Sequence, residues 1–265
     1  MKIGIYTGKK LLKTNESFQS MIERLKSGGA EVYDVSDSLE PGTDLLLGAG
    51  GDGTFLSAAS FAVVEGVPVL GVNFGRLGFL SEYRPEEAVE ALESGEYSIE
   101  EREVLQTVME GKTEFALNEV SVHRNGSAML GVDVFLDGVQ LPTYWADGLL
   151  VATGSGSTAY SLSAGGPICM PDSKVLLITP ISPHNLNVRP LVIPSSSKLE
   201  LSIKSRDNDF LMTADNRSAV ISRETRIPVS VAQFSLKRVR LNGSSFIKAL
   251  RSKLYWGEDV RNEIH

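Results

Sequence analysis

The chain reads as an α/β domain on a parallel, Rossmann-like sheet followed by a mostly β domain. Up to about residue 96, short apolar runs alternate with amphipathic segments, the pattern of βαβ units. A glycine-rich loop lies between one such run and the next helix, and from about residue 97 the rhythm changes to short strands with hairpin punctuation. With 265 residues, 42% of them hydrophobic, there is material for two moderate domains and a sizeable core.

Residues 3–6 alternate as a first strand. Phe18, Met21, Ile22 and Leu25 then fall at i, i+3, i+4 and i+7, with Asn15 as cap and Gly28-Gly29 as stop, which predicts a helix. Val32 to Val35 is a second strand, and the continuously apolar Leu45-Leu46-Leu47 predicts a third, covered on both faces. Thr54 to Glu65 is helical and Val67 to Val72 returns to strand. Pro85 at a first helical position and Gly95 beyond the end bracket another helix. Beyond residue 97, Asp137-Gly138 joins strands 134–136 and 139–141 as a tight hairpin. Further strands are expected at 175–179, 199–203, 211–213 and 229–231, and a final amphipathic helix at 246–254. With no β partner nearby in sequence, that helix is expected to pack back on the first domain. The division reads 1–96 and 97–243, with 244–265 returning to the first part.

A formal net charge of −7 leaves no basic stripe for a polyanionic duplex or an anionic bilayer, so neither nucleic acid nor membrane is an expected partner. Cys169 is the only cysteine, which excludes an internal disulfide or a CxxC pair and fits a reducing cytoplasm. The N-terminus lacks a signal-peptide pattern, and no apolar run approaches the roughly 18 residues of a membrane span, so a soluble, unprocessed cytoplasmic protein is expected. No GxSxG elbow and no HExxH pair support hydrolytic or metalloprotease chemistry. His123, His184 and His265 are scattered and read as structural or solvated, and no metal-ligating side chains are assigned.

Chemistry concentrates first in Gly48-Ala49-Gly50-Gly51-Asp52-Gly53-Thr54, where a parallel strand turns into a helix. Such turns are where open α/β sheets bind ligands, and glycines let a phosphate approach the unpaired N–H groups of a helix N-terminus. The stretch formally matches GxGxxG, but about 20 residues on stands Val72-Asn73-Phe74 and not the ribose-binding acid of a dehydrogenase. Nor is it a Walker loop, which needs GxxxxGK[ST]. Asp52 is the unusual member: a carboxylate beside a pyrophosphate is costly unless it contacts a metal or reacts. The second concentration is Asp147 to Pro167, a strand running into a hydroxyl-rich and glycine-rich loop.

Gly-Gly-Asp-Gly-Thr resembles the signature shared by NAD kinases, diacylglycerol and sphingosine kinases and, more loosely, 6-phosphofructokinases. Asp-Gly, an apolar run, Gly-Ser-Thr-Ala-Tyr and Ser-Ala-Gly-Gly-Pro resemble NAD kinases and not lipid kinases, as do Asn73 to Phe79, Asn118-Glu119 and Pro180 to Pro190. Gly154 and Ser155 depart from the family's proline and threonine, predicting a looser loop; Trp145 replaces a basic residue found in some relatives, and Asn216 follows Asp215 where many have glycine.

The resemblance implies a kinase that phosphorylates the adenosine ribose of NAD. It implies that Gly50, Gly51, Gly53 and Thr54 hold the phosphates of ATP, and that Asp52 is the general base, close to NAD together with Gly53. Leu77 and Phe79 would border the adenine, Asn118 and Glu119 would grip a ribose, and Asp147, Thr158, Ala159, Tyr160 and Ser163 would hold the rest of NAD. Mg²⁺ bridging phosphate oxygens, ATP or polyphosphate as donor, and a homodimer or homotetramer complete what the family implies. An Asp52→Asn change is expected to leave folding and NAD binding nearly intact while removing turnover. A lipid kinase, a dehydrogenase and a non-enzymatic nucleotide sensor stay as alternatives: a lipid kinase needs a long apolar acyl cavity, which the polar 153–163 loop does not suggest, and ATP consumption with and without NAD separates a sensor from an enzyme.

Overall fold

The computed structural model describes residues 1–8 and 14–256; the expected tail 257–265, with His265, lies outside the described residues. The chain forms two compact units, Met1–Glu100 with Lys237–His265, and Glu101–Leu236. Residues 97–100 and 237–243, read from sequence with the β-rich part, therefore belong to the first unit.

In the first unit β1 (Lys2–Thr7), β2 (Glu31–Asp34), β3 (Leu45–Ala49) and β4 (Val69–Val72) pair in parallel in the order β2-β1-β3-β4. The end of the long strand β17 (Arg226–Leu241) adds to β4 in parallel through Arg238 and Val69. α1 (Glu16–Ser27) starts where expected: the Asn15 side chain accepts from Phe18 N at 3.1 Å, and Gly28 closes the last turn. α3 (Pro85–Ser94) runs between Pro85 and the left-handed Gly95 as the sequence predicts. Phe18, Met21 and Leu25 of α1 pack with Ile3, Ile5, Leu45, Leu47, Leu70 and Val72 in one buried cluster. α2 (Asp52–Glu65) begins two residues earlier than the periodicity indicates, so Asp52 stands in its first turn and not in the loop before it. α5 (Phe246–Leu254) has the expected bounds and lies against first-unit residues, its Phe246 ring 6.2 Å from that of Phe79.

The second unit is antiparallel. One six-stranded sheet runs in the order β13 (Leu191–Pro194), β12 (Val175–Ile181), β11 (Gly148–Thr153), β7 (Glu119–Arg124), β15 (Asp209–Ala214) and β16 (Arg217–Ser222). The other strands include β10 (Tyr144–Ala146), β8 (Leu130–Leu136), β14 (Leu199–Lys204) and the first part of β17, with β9 (Val139–Gln140) hairpinned to β8. Asp137 and Gly138 both take positive φ, 49° and 83°, as the predicted hairpin requires. Pleating sends Val120, Val122, Leu149, Val151, Leu176 and Ile178 into one core with Val132, Val134, Leu201 and Val229. The alternate residues Leu150, Ala152 and Leu177 point to the other face, which Ala164 and Cys169 cover. β11 therefore presents the hydroxyl-rich segment after it on that outer face.

Some strands escaped the sequence pattern. β5 (Tyr97–Met109), β6 (Lys112–Ala116), β10, β13 and β16 are not among the strands the pattern predicts, and residues 229–231 lie near the start of a 16-residue strand. β5 opens Tyr-Ser-Ile-Glu-Glu-Arg-Glu, too charged to read as a buried strand.

Candidate functional site

The described residues build two clusters, one in each unit. In the first, β3 delivers the chain to Gly50, whose N–H donates to Val72 O at 2.8 Å and whose φ is 153°. A Cβ here would lie 2.8 Å from Thr54 Cβ, so both backbone and packing demand glycine. Gly51 and Gly53 differ: an added Cβ would meet nothing within 4 Å. The protein itself does not require glycine at these two positions, and no side chain caps the α2 N-terminus. Open space over a helix N-terminus is what an approaching phosphate needs. Thr54 is half-buried beside it.

Asp52 is held far more firmly than a loop carboxylate. Its Oδ2 accepts from Phe79 N at 2.8 Å, and its Oδ1 accepts from Leu80 N at 3.0 Å and Ser81 N at 2.9 Å. A carboxylate has about four acceptor sites, and three consecutive amides fill three of them. The remaining one is on Oδ2. The sequence offered two explanations for this acid, metal contact or reaction; the structure adds a third, that it clamps the segment 79–81. An Asp52→Asn change consequently cannot leave folding untouched, because the amide nitrogen that replaces one oxygen has no acceptor for an N–H. Gly78 belongs to the same arrangement, since a Cβ on it would run into the Asp52 carboxylate. Phe79 is half-buried under Phe246, whereas Leu77 stays 40% exposed.

In the second unit, Asn118 and Glu119 lie at the start of β7, both buried. The Asp215 carboxylate accepts from three consecutive amides here too, Leu117 N at 2.7 Å, Asn118 N at 2.8 Å and Glu119 N at 3.2 Å. Burial pushes the Asp215 carboxyl up, although these amides and Arg217 pull it down. Glu119 is pushed up to about 8, first by burial and then by the Asp215 charge, while Tyr160 N–H works the other way. Glu119 Oε2 is buried with no hydrogen-bond partner. A buried acceptor left without a donor is costly, and a ligand hydroxyl would satisfy it.

The Tyr160 segment folds against this pair. Thr153 Oγ1 donates to Leu117 O at 2.6 Å and accepts from Gly156 N at 3.1 Å. A Cβ on Gly156 would strike the Asn118 backbone, its Cα at 2.8 Å. Ser155–Thr158 forms a 3₁₀ turn, Thr158 and Ala159 are half-buried, and Tyr160 and Ser163 are exposed. The loosening expected from Gly154 is replaced by close packing: an added Cβ would stand 3.0 Å from Met170 O and 3.2 Å from Ser173 O. His123, read as structural, stacks on Tyr160 with centroids 5.7 Å apart, its Nε2 2.7 Å from Ser121 Oγ. Burial lowers the His123 pKa, so it is a neutral platform near pH 7. Asp147 pairs with Arg124 at 3.0 Å and has His184 Nε2 at 3.8 Å, partners that adjacency in sequence does not reveal. Among the described residues, no group of three or more His, Cys, Asp or Glu side chains is placed to hold a metal ion.

A parallel α/β unit with an open glycine loop at a helix N-terminus, and an antiparallel unit with a buried Asn-Glu pair, define a nucleotide-binding phosphotransferase. The model of the ATP-NAD kinase N-terminal domain matches residues 5–97, and that of the C-terminal domain matches residues 117–241. The NAD kinase of Bacteroides fragilis is 43% identical over 236 residues, covering 86% of this chain and 81% of that protein. The NAD kinase of Porphyromonas gingivalis is 37% identical, with 98% and 99% covered. Among solved structures, yeast NADH kinase complexed with NADH superposes with a TM-score of 0.85 at 26% identity, covering 98% of this chain and 89% of that one. An NAD kinase from Archaeoglobus fulgidus in complex with ATP gives 0.78 at 27% identity, with 96% and 99% covered. The chain belongs to the ATP-NAD kinase family.

Proposed function

We propose that Asp52 accepts the proton of the adenosine 2′-hydroxyl of NAD as that oxygen is phosphorylated by ATP, the NAD kinase reaction that family membership assigns to this chain. The observation that carries this reading is the single acceptor site left on Asp52 Oδ2 once Phe79, Leu80 and Ser81 have taken the others. Oδ2 takes the proton without releasing an amide. The 2′-oxygen then bonds to the γ-phosphorus, the bond from that phosphorus to the β-bridging oxygen breaks, and ADP leaves with its electron pair. Phosphoryl transfer asks for positioning and charge neutralisation more than covalent help. Gly50, Gly51, Gly53 and Thr54 supply this as a cradle for the donor's phosphates, and Leu77 and Phe79 border the adenine.

Asn118 and Glu119 bind ribose hydroxyls, which would satisfy the buried, unpaired Glu119 Oε2. Asp147, Thr158, Ala159, Tyr160 and Ser163 hold the remainder of NAD. A divalent cation, Mg²⁺ by its preference for phosphate oxygens and water, would neutralise phosphate charge when bound. No helix of the described residues is long and apolar enough to cross a membrane. We place the protein in the cytoplasm as a homodimer or homotetramer, the first on its lone cysteine and the second on its family; molar mass in solution tests the assembly.

The deciding assay pairs NAD or NADH with ATP or polyphosphate and reads NADP(H). Formation of NADP from NAD and ATP is the expected result; no NADP and no ATP consumption, with or without NAD, would leave only a nucleotide-binding protein.

A further inference from the structure

The segment that Asp52 clamps is held from its other side by cations. The amides of Phe79, Leu80 and Ser81 point to Asp52, while their carbonyl groups and that of Gly78 point away and each finds a donor. Arg238 of β17 reaches Phe79 O at 3.2 Å and Leu80 O at 3.3 Å and pairs with Glu82 at 3.1 Å. Asn73 Nδ2 reaches Ser81 O at 3.2 Å. Gly78 O accepts from Lys253 Nζ, which comes from the last turn of α5.

Lys253 is unusual for a lysine on a short surface helix. Its side chain is 14% exposed, its ammonium lies 5.1 Å from the Phe79 ring centroid, and it stands 3.9 Å from Glu82 Oε1. Burial lowers its pKa, and the charges of Glu82 and Asp52 oppose that. An ammonium over an aromatic face is attracted by the ring's negative face, so this contact holds the segment at the residue whose N–H binds Asp52 Oδ2. The N–H groups of residues 79–81 thus lie on a carboxylate, and the C=O groups of residues 78–81 on two cations and a side-chain amide.

We propose that Lys253 is a positioning residue for the phosphoryl transfer: by fixing Gly78 and Phe79 from the C-terminal helix, it sets where the open acceptor site of Asp52 points. This rests on the reading of Asp52 as the proton acceptor. A base displaced by a fraction of an ångström loses turnover before it loses substrate binding, because the misalignment is felt at the transition state.

The test is steady-state kinetics of the full chain carrying Lys253→Met, which keeps the apolar stem, and Lys253→Arg, which keeps the charge, with thermal unfolding of each. Lys253→Met is expected to lower kcat by about tenfold or more, with KM for NAD and ATP within about threefold, and Lys253→Arg to recover most of kcat. A folded Lys253→Met enzyme with wild-type kcat, or a loss that Lys253→Arg does not recover, overturns the proposal. Should Lys253→Met not fold, the same criteria are read from Lys253→Gln, which keeps a donor for Gly78 O without the charge. Asp52→Asn measured alongside separates the two readings. If it turns over normally, the base assignment fails; if it is inactive while Lys253→Met is unimpaired, only the positioning role fails.

Discussion

Asp52→Asn perturbs two things at once, and the structure allows each to be sized. With the asparagine oxygen kept toward Leu80 N and Ser81 N, its NH₂ group takes the place of Oδ2 and faces Phe79 N, 2.8 Å from that position, donor against donor. Hydrogen bonds to a charged group contribute about 1.5–3 kcal/mol each and neutral ones about 1 kcal/mol, so one bond is lost and two are weakened. Phe79 is half-buried, and water reaching its amide offsets part of that loss. A destabilisation of about 2–3 kcal/mol remains, equivalent to a fall in Tm of roughly 5–10 °C at about 2–4 °C per kcal/mol for a chain of this size. Turnover is the second effect. Removing a general base costs about 10²–10⁴-fold, so kcat at saturating NAD and ATP, measured well below the variant's Tm, should fall by at least two orders of magnitude. A variant within tenfold of wild-type kcat refutes the base; an unchanged Tm refutes the clamp.

Glu119→Gln should flatten the pH dependence of stability. With its folded pKa raised to about 8 from an ordinary 4.5, the native state holds a proton that the unfolded chain releases. Its contribution is therefore fully present below about pH 4.5 and is lost as pH rises to about 8, a decline of several kcal/mol at about 1.4 kcal/mol per unit. Denaturant unfolding from pH 4.5 to 8.5 reads the slope, and a parallel decline in the glutamine variant contradicts the assignment. Gly156→Ala should destabilise by about 2 kcal/mol or more, because its Cβ meets Asn118 backbone that has no room to move; an unchanged unfolding midpoint contradicts this. Gly51→Ala, with open space around its Cβ and a φ of −83°, should keep Tm within a few degrees yet raise KM for ATP severalfold. Unaltered ATP kinetics would mean that the donor's phosphates do not use that space.

Local signals were legible where a residue's role is decided by its neighbours in sequence. Asn15, Pro85 and Gly95 marked helix ends correctly because caps are chemistry within one turn. The early start of α2 was missed because Gly51-Asp52-Gly53 reads as loop by propensity, whereas the helix is fixed by packing of Phe55 and Ala58 behind it. β5 is hard to read from sequence because its first half carries Glu100, Glu101, Arg102 and Glu103, and β16 because only Ala219 and Ile221 of its six residues enter the core while Val220 faces solvent.

The candidate site divides the same way. The glycines stand out because their spacing suits a phosphate at a strand-to-helix turn, and Asp52 because a carboxylate there is unusual. The clamps did not: Asp52 reaches Phe79 across 27 positions, Asp215 reaches Leu117 across 98, and Lys253 reaches Gly78 across 175. In each case the partner is a backbone group, which leaves no side-chain signature in the sequence.

The structure of the full chain with NAD bound, at a resolution that fixes carboxylate and ribose oxygens, addresses the role of Asp52 most directly. The adenosine 2′-oxygen is expected within about 2.6–3.2 Å of Asp52 Oδ2, with the bonds from Phe79, Leu80 and Ser81 intact. A 2′-oxygen hydrogen-bonded to some other acceptor, with Asp52 engaged by its three amides alone, would make this aspartate a structural clamp and nothing more.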